Sequence, residues 1–359
     1  MVRTAHPTFG KLSMTTFLPE WTPQSGVMLT WPHVDSDWAD NLENVEPVFV
    51  NIAKAISERE LVLISAFDGV HKKHIQALLQ NAGVDLNQVR LYVVDSDDTW
   101  ARDHGPITVE KDGQVRLLDF VFNGWGNKFS AERDTQINLK LHEQSAFGDV
   151  PMMSFDFVLE GGSLETDGLG TLLTTSQCLM SKERNPDYDK AQIETLLKAQ
   201  LGLNRVLWLD HGHLEGDDTD AHIDTLARYA DAHTIVYQRC NDKLDPHYDG
   251  LSKMEAELQA LTDYQGNPYK LVPLPWPAPK FDEEDGRRLP ATYANFLIIN
   301  GAVLLPTYND EMTDLEAKRA MEIAFPNHEI VCIDCSEIIK QNGSLHCLTM
   351  QLPKGVLPA

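Results

Sequence analysis

Apolar and polar positions alternate with a period of two in many short runs, each flanked by turn residues. VMLTW (27–31), LVLISAF (61–67), VRLYVV (89–94), GPITVE (105–110), VRLLDFVF (115–122), GTLLTT (170–175), RVLWL (205–209), HTIVYQ (233–238), FLIING (296–301) and AVLLPTY (302–308) read as strands. Segments 44–58, 71–83, 187–202 and 312–326 have helical apolar spacing, and several end at Gly or Pro. A unit repeats beneath this: a polar or acidic segment, a strand, a tight turn and a second strand. It occurs in DTWARDHGPITVEKDGQVRLLDF, FVLEGGSLETDGLGTLLTT, DAHIDTLARYADAHTIVYQ and YANFLIINGAVLLPTY. Asp112-Gly113, Asp167-Gly168 and Asn300-Gly301 favour two-residue hairpins, with Asp231-Ala232 as a weaker equivalent. The repeat predicts one pseudo-symmetric α/β domain over 1–359 rather than two independent ones. The segments entering each hairpin would then converge on a shared centre. The stretch 272–290, rich in Pro and charge, reads as a long surface loop, either bordering the site or a plain excursion.

Composition narrows the function classes. With 42% hydrophobic and 23% charged residues, the chain has the balance of a soluble globular protein. No apolar run approaches the roughly 18 residues of a membrane span. The N-terminus lacks the apolar core of a signal peptide, so a cytoplasmic protein is expected. Asp and Glu number 54 against 30 Lys and Arg, a net charge of −24, which argues against nucleic acid as a partner. The same charge would attract a cationic small molecule, or simply keep the protein soluble. Five cysteines do not make a disulfide framework. Cys332 and Cys335 form a solitary CxxC within an apolar run and read as core or edge thiols.

Four polar segments carry candidate chemistry. Near the C-terminus, Cys347 follows a Gly-containing loop; a thiolate there is a nucleophile if a base or cation lowers its pKa, and a packed thiol otherwise. Its neighbour His346 would face the other way on a strand, so an activating His should come from elsewhere. His222 and Asp224 are two apart and would share one face of an extended strand. They suit acid–base work and the bidentate grip of a guanidinium. Nearby His211 and His213 offer a metal reading, although their spacing matches no zinc motif. Asp95, Asp97, Asp98 and Asp103 crowd around Trp100 and Arg102, as an acidic surface loop or as carboxylates sharing a cation. Glu160, after an apolar run and before Gly161-Gly162, is an unusual place for a charge and is expected to face the centre. Trp125, between glycines, is either a ligand-covering tip or a packed aromatic.

Six segments in order resemble the agmatine deiminases, grouped with bacterial-type peptidylarginine deiminases. They are LPEWTPQSGVMLTWPH, DDTWARDHGPI, FNGWGNKF, VLEGGSLETDGLGTLLTTSQCLM, DDTDAHID and SLHCLTMQ. The resemblance implies a pseudo-fivefold α/β propeller of ββαβ-type units and a single catalytic domain over 1–359. It implies Cys347 as nucleophile, His222 as general acid–base and Glu160 in support. Asp98 and Asp224 would hold the guanidinium, with Trp125 as lid or wall. No metal or organic cofactor is implied; a homo-oligomer is. The expected reaction is agmatine and water to N-carbamoylputrescine and ammonia. Free arginine, peptidyl arginine or amidine transfer are alternatives, as are a non-catalytic guanidinium-binding protein and a metal hydrolase on the His211/His213/His222 region. The chain departs from the family pattern at Gln341–Leu345, at Asn127 and at Ala221. A substrate with a carboxylate tail would want an Arg or backbone donors at the pocket mouth, with Arg133, Arg184 and Arg288 as candidates.

Overall fold

The computed structural model describes residues 14–358. The reading of the N-terminus as lacking a signal peptide rests largely on residues 1–13, outside the described residues. One arrangement recurs among the described residues: an antiparallel strand pair whose second strand runs parallel to a third. Ile107–Lys111 pairs with Gln114–Val121, which pairs with Met152–Val158. Glu165–Thr166, Thr171–Thr175 and Arg205–Leu209 repeat the pattern. So do Ala227–Asp231, Thr234–Gln238 and Lys270–Leu274, and Leu297–Ile299, Ala302–Thr307 and Glu329–Asp334. The fifth copy joins the chain ends: C-terminal Thr349–Pro353 is antiparallel to Gln24–Thr30, which runs parallel to Leu61–Ala66 and on to Val89–Val93. Parallel strands need a crossover, and here a helix supplies each one. The architecture is mixed α/β.

Local chemistry explains most elements. Asp112 and Gly113 both adopt positive φ, as the tightest hairpin turn requires. Helix Leu42–Ser57 buries Val45, Val48, Phe49, Ile52 and Ile56, a stripe at helical spacing, in the same core as Val27, Leu29, Val62 and Ile64. Two crossover helices escape the sequence pattern. Ile137–Glu143 is short and anchors by Ile137 and Leu141. Tyr248–Ala260 buries Leu251, Met254 and Leu258, but Gly250 in its first turn masks the start. The stretch 272–290 is more regular than expected: it begins inside strand Lys270–Leu274 and carries the small hairpin Lys280–Phe281 with Arg288–Leu289. No helix among the described residues is long and apolar enough to cross a membrane.

A buried ionic centre ties the copies together. Arg228 is 0% exposed and donates to Glu20 Oε2 (2.8 Å), to Glu165 Oε1 and to the Phe296 carbonyl. Glu20 also accepts the Ile298 N–H (2.7 Å) and lies 2.7 Å from His346 Nε2. Burial opposes the Glu20 anion, yet Arg228, His346 and Arg102 outweigh it and hold its pKa well below the usual range. Arg228→Ala should destabilise the fold by about 3–5 kcal/mol, because two buried carboxylates lose their partner. Denaturant unfolding measures it, and a loss below about 1 kcal/mol would show that the centre contributes little.

Candidate active site

Cys347 lies in a turn formed by residues 345–348, just before strand Thr349–Pro353. This corrects the expectation of a strand with His346 on the opposite face. Asn295 shapes the turn: its Oδ1 accepts the N–H groups of His346 (2.8 Å) and Cys347 (3.2 Å) and lies 3.4 Å from the thiol sulfur. Arg102 N–H donates to the Cys347 carbonyl (3.1 Å). Gly343 is required just upstream, since a Cβ there would fall 2.1 Å from the Trp100 ring. Cys347 is 3% exposed, and its sulfur is 4.0 Å from Asp224 Oδ2. Burial, then the Asp224 and Asp103 carboxylates, push its pKa well above the ordinary thiol value.

His222 and Asp224 are not on a strand. His222 caps a single 3-10 turn, Ile223–Thr225, that contains Asp224. The turn aims both side chains inward, and both are 0% exposed. Asp224 Oδ2 lies 2.7 Å from His346 Nδ1, so His346 spans Asp224 and Glu20. Burial opposes the Asp224 anion, but His346 holds its pKa below the usual value. His222 Nδ1 is 3.5 Å from Asp103 Oδ1, and its Nε2 is 3.9 Å from Glu160 Oε2. Burial disfavours the imidazolium, yet the Asp103 carboxylate and the other anionic neighbours outweigh it and raise its pKa well above normal. Gly162 is where these groups meet: a Cβ there would be 2.5 Å from His222 Nδ1, 2.8 Å from Asp103 Oδ1 and 3.2 Å from Asp224 Oδ2. Ala221, where the family pattern has Gly, sits at φ 64, a left-handed backbone that costs an Ala about 1–2 kcal/mol. Asn127, the other departure from Gly, sits at φ 63 and tolerates it better.

Glu160 is fully buried at the entry of the 3-10 turn Gly161–Ser163. Both its oxygens accept from Arg184 Nε (2.9 and 3.0 Å), while Arg184 also donates to Asp220 (2.6 Å). Burial raises the Glu160 pKa, but Arg184 and His222 bring it below the ordinary value.

A small cavity opens above this cluster. Asp98, Asp103, Trp100, Trp125 and Cys347 line it, with Asp37, Phe129, Asp218 and Asn342 among its other walls. Asp98 accepts the indole N–H of Trp38 and of Trp100, each at 2.9 Å. Burial raises the Asp98 pKa to about 6. Asp103 accepts the Trp125 indole (2.9 Å) and the Gly162 N–H (3.1 Å), and burial with neighbouring carboxylates raises its pKa to about 6. Trp125 is a packed wall, 6% exposed, within a run of left-handed residues from Gly124 to Asn127. Lys128 closes that run onto the other side, donating to the Asp218 carbonyl (2.6 Å) and to Asp220 (2.8 Å).

Of the residues singled out from sequence, Cys347, Asp98 and Trp125 share the cavity wall, while His222, Asp224 and Glu160 lie buried beneath it. Sequence reasoning missed Asn295, which carries no motif signal, and Glu20, which precedes Trp21 as one more surface-type acid. It read His346 only as a neighbour, and Asp103 only as part of a crowd. The 272–290 loop reaches the site through one residue, Arg287, which donates to the Asn342 side chain and the Lys340 carbonyl. His211 is half-exposed and paired with Glu257 (2.5 Å), apart from His222, so the metal-hydrolase ligand set does not assemble. Among the described residues, the donor atoms close enough to share an ion belong to Glu160, Cys178 and His222. Gly162→Ala should lower kcat at least about 100-fold by displacing His222 and Asp103, with the folded circular-dichroism spectrum retained. Activity within about threefold of wild type would refute the close packing.

The family profile described as Porphyromonas-type peptidyl-arginine deiminase matches residues 16–353. The chain is 34% identical to the agmatine deiminase of Pseudomonas fluorescens (strain SBW25), over 93% of this chain and 94% of the relative. It is 49% identical, with a TM-score of 0.90, to a solved structure from Porphyromonas gingivalis provisionally named an arginine deiminase, covering 96% and 100% of the two chains. A substrate-bound cysteine-to-serine variant of C. jejuni agmatine deiminase is 39% identical with a TM-score of 0.88, covering 98% and 100%. The match runs through every segment that builds the cavity and the buried cluster, and the chain belongs to the Porphyromonas-type peptidyl-arginine deiminase family.

Proposed function

We propose that this chain hydrolyses agmatine to N-carbamoylputrescine and ammonia through a covalent amidino-cysteine on Cys347. The observation that carries the reading is the charge of the cavity. Its lining holds the Cys347 thiol and the carboxylates of Asp37, Asp98, Asp103 and Asp218, and among the described residues no Lys or Arg. A planar guanidinium fits between carboxylates by paired, charge-assisted hydrogen bonds. The carboxylates raise the Cys347 pKa in the free protein, so an arriving cation would lower it and assist formation of the thiolate. The thiolate then attacks the guanidinium carbon, forming a C–S bond. His222, held as a cation by its anionic neighbours, gives its proton to the departing nitrogen, and the C–N bond breaks to release ammonia. His222 next takes a proton from water, which adds to the amidino carbon; the C–S bond then breaks to free the ureido product, and the remaining hydroxyl proton returns to the sulfur in place of the one the thiol released to solvent. Asp98 and Asp224 would grip the guanidinium from the two sides, with Asp103 as a further carboxylate beside His222 and Glu160 supporting that ring. Trp100 and Trp125 would flank the cation.

The mouth favours an amine tail over a carboxylate tail. The three candidate arginines for a carboxylate tail are engaged elsewhere. Arg133 faces Asp95 and Asp97, Arg184 is buried against Glu160, and Arg288 donates to Asp245. Asp37 and Asp218 at the cavity instead suit a terminal ammonium. That relatives across most of this length are named agmatine deiminases supports the same reading. The fivefold recurrence of one strand–strand–helix–strand unit supports a single catalytic domain over 1–359, closed as a pseudo-fivefold α/β propeller around Cys347.

Cys347→Ala should abolish ammonia release from agmatine while the protein stays folded; retained turnover would end the assignment. Asp218→Asn should raise KM for agmatine about 10- to 100-fold, the scale of a lost charged hydrogen bond, with less effect on kcat. An unchanged KM would remove Asp218 from the tail site, and a preference for arginine in the wild type would redirect the substrate. The pH dependence follows from Asp98 and Asp103. Both carboxyls carry pKa values raised to about 6, so each loses its charge as pH falls through that value. A pH profile of kcat/KM should therefore decline below about pH 6, by at least about tenfold per unit. A profile flat through that range would contradict the role of these carboxylates.

A further inference from the structure

Cys178 has no part in the chemistry above, yet its thiol is buried against the groups that do. It lies on the short helix Ser176–Leu179 and is 0% exposed. Its sulfur is 3.9 Å from Glu160 Oε2, and His222 Nε2 is 3.9 Å from the same oxygen. One ligand atom from each of the three residues lies within 4.8 Å of the others. His222 is 0% exposed, and neither of its ring nitrogens has a hydrogen-bond partner. A fully buried imidazole with an unused nitrogen, aimed at a carboxylate and beside a thiol, is a ligand set lacking only its ion.

The donor types select the ion. Thiolate, imidazole and carboxylate together suit zinc and its thiophilic neighbours, whereas calcium and magnesium want oxygen alone. Zinc bond lengths put neighbouring tetrahedral ligands roughly 3.3–3.8 Å apart, so the two 3.9 Å spacings to Glu160 Oε2 need to close by only a few tenths of an ångström. Arg184 does not block the site. Each Glu160 oxygen has a second lone pair, and a carboxylate that binds metal while accepting an outer hydrogen bond is a common arrangement. The thiolate and Glu160 together carry two negative charges against a divalent ion, while Arg184 keeps Asp220 as a second partner.

We propose that Glu160, Cys178 and His222 form a binding site for a thiophilic divalent cation of the zinc class, and that its occupancy switches the enzyme off. On binding, the ion accepts lone pairs from the Cys178 sulfur, His222 Nε2 and Glu160, and the thiol proton and any Nε2 proton pass to solvent. No electron changes hands. With Nε2 tied to the metal, His222 no longer cycles between imidazole and imidazolium. The inhibitory half of this inference rests on the proposed role of His222; the binding half does not.

Cobalt(II), a spectroscopic substitute for zinc, tests binding apart from catalysis. Titrated into wild type and into Cys347→Ala, it should give a thiolate-to-cobalt charge-transfer band of equal intensity, which zinc displaces. Cys178→Ser and Glu160→Gln, read by binding alone, should each weaken cobalt at least about tenfold; the second keeps the test decisive if the first does not fold. Zinc should inhibit agmatine hydrolysis by wild type, with a midpoint at least about tenfold lower than for Cys178→Ser. No band in the wild type, or a band lost in Cys347→Ala and kept in Cys178→Ser, would overturn the site. Binding as expected but without inhibition would overturn the switch and implicate the assigned role of His222 instead.

Discussion

The buried carboxylate of Glu20 fixes the geometry on which the rest depends. It takes the Arg228 guanidinium, the Ile298 N–H and a His346 ring nitrogen together, three elements that are far apart in sequence. His346 passes the constraint to Asp224, and the adjacent backbone amides of His346 and Cys347 share Asn295 Oδ1. The Cys347 thiol, the Asp224 carboxylate and the segments that carry them are thereby held by one continuous set of hydrogen bonds. Such bonds are directional and strong when buried, and costly to break on one side only. They place Cys347 more firmly than apolar packing alone would.

That rigidity permits an otherwise unfavourable concentration of negative charge. Asp98, Asp103 and Asp224 gather around Cys347, and His222, its pKa raised by its anionic neighbours, lies buried beside them. Like charges brought this close raise one another's pKa, as Asp103 shows, and would relax apart in a looser loop. Here the Trp38 and Trp100 indoles hold Asp98, while the Trp125 indole and the Gly162 amide hold Asp103. The carboxylates are held in place by the protein, and on the proposed function they form a preorganised receptor for a flat cation. The aromatic walls and the acids therefore act together, the indole N–H groups fixing the carboxylates and the rings enclosing the guest.

Arg184 extends the network outward. It joins Glu160 beneath His222 to Asp220, and Asp220 meets Lys128 from the Trp125 loop. The wall of the cavity and the support beneath His222 are thus linked through three ion pairs. The strained backbone at Ala221 and from Gly124 to Asn127 lies at the two ends of this link, where loops are bent to meet one another rather than to suit their own residues.

The sequence by itself determined the strand-rich α/β class, the repeated hairpin unit and the acidic segments bound for the centre, because these depend on local periodicity and turn chemistry. Asp112-Gly113 folds as its residue types dictate, and helix Leu42–Ser57 shows its buried stripe in the order of its residues. The resemblance of six ordered segments also supplied Cys347, His222, Glu160, Asp98, Asp224 and Trp125 as the residues to examine. Only the tertiary structure decided how they meet. His222 and Asp224 share a tight turn instead of a strand, because the Thr219 hydroxyl accepts the His222 N–H and the Thr225 hydroxyl donates to the His222 carbonyl, bending the chain there. His346, dismissed by a strand's alternation, faces inward because Asn295 curls the chain at Cys347. Glu20 and Asn295 carried no signal, and Arg184 was legible only as a partner for a carboxylate tail, since a lone Glu, Asn or Arg looks the same on a surface as in a core. Their roles come from partners tens to hundreds of residues away, and partnership across such distances is a property of the fold.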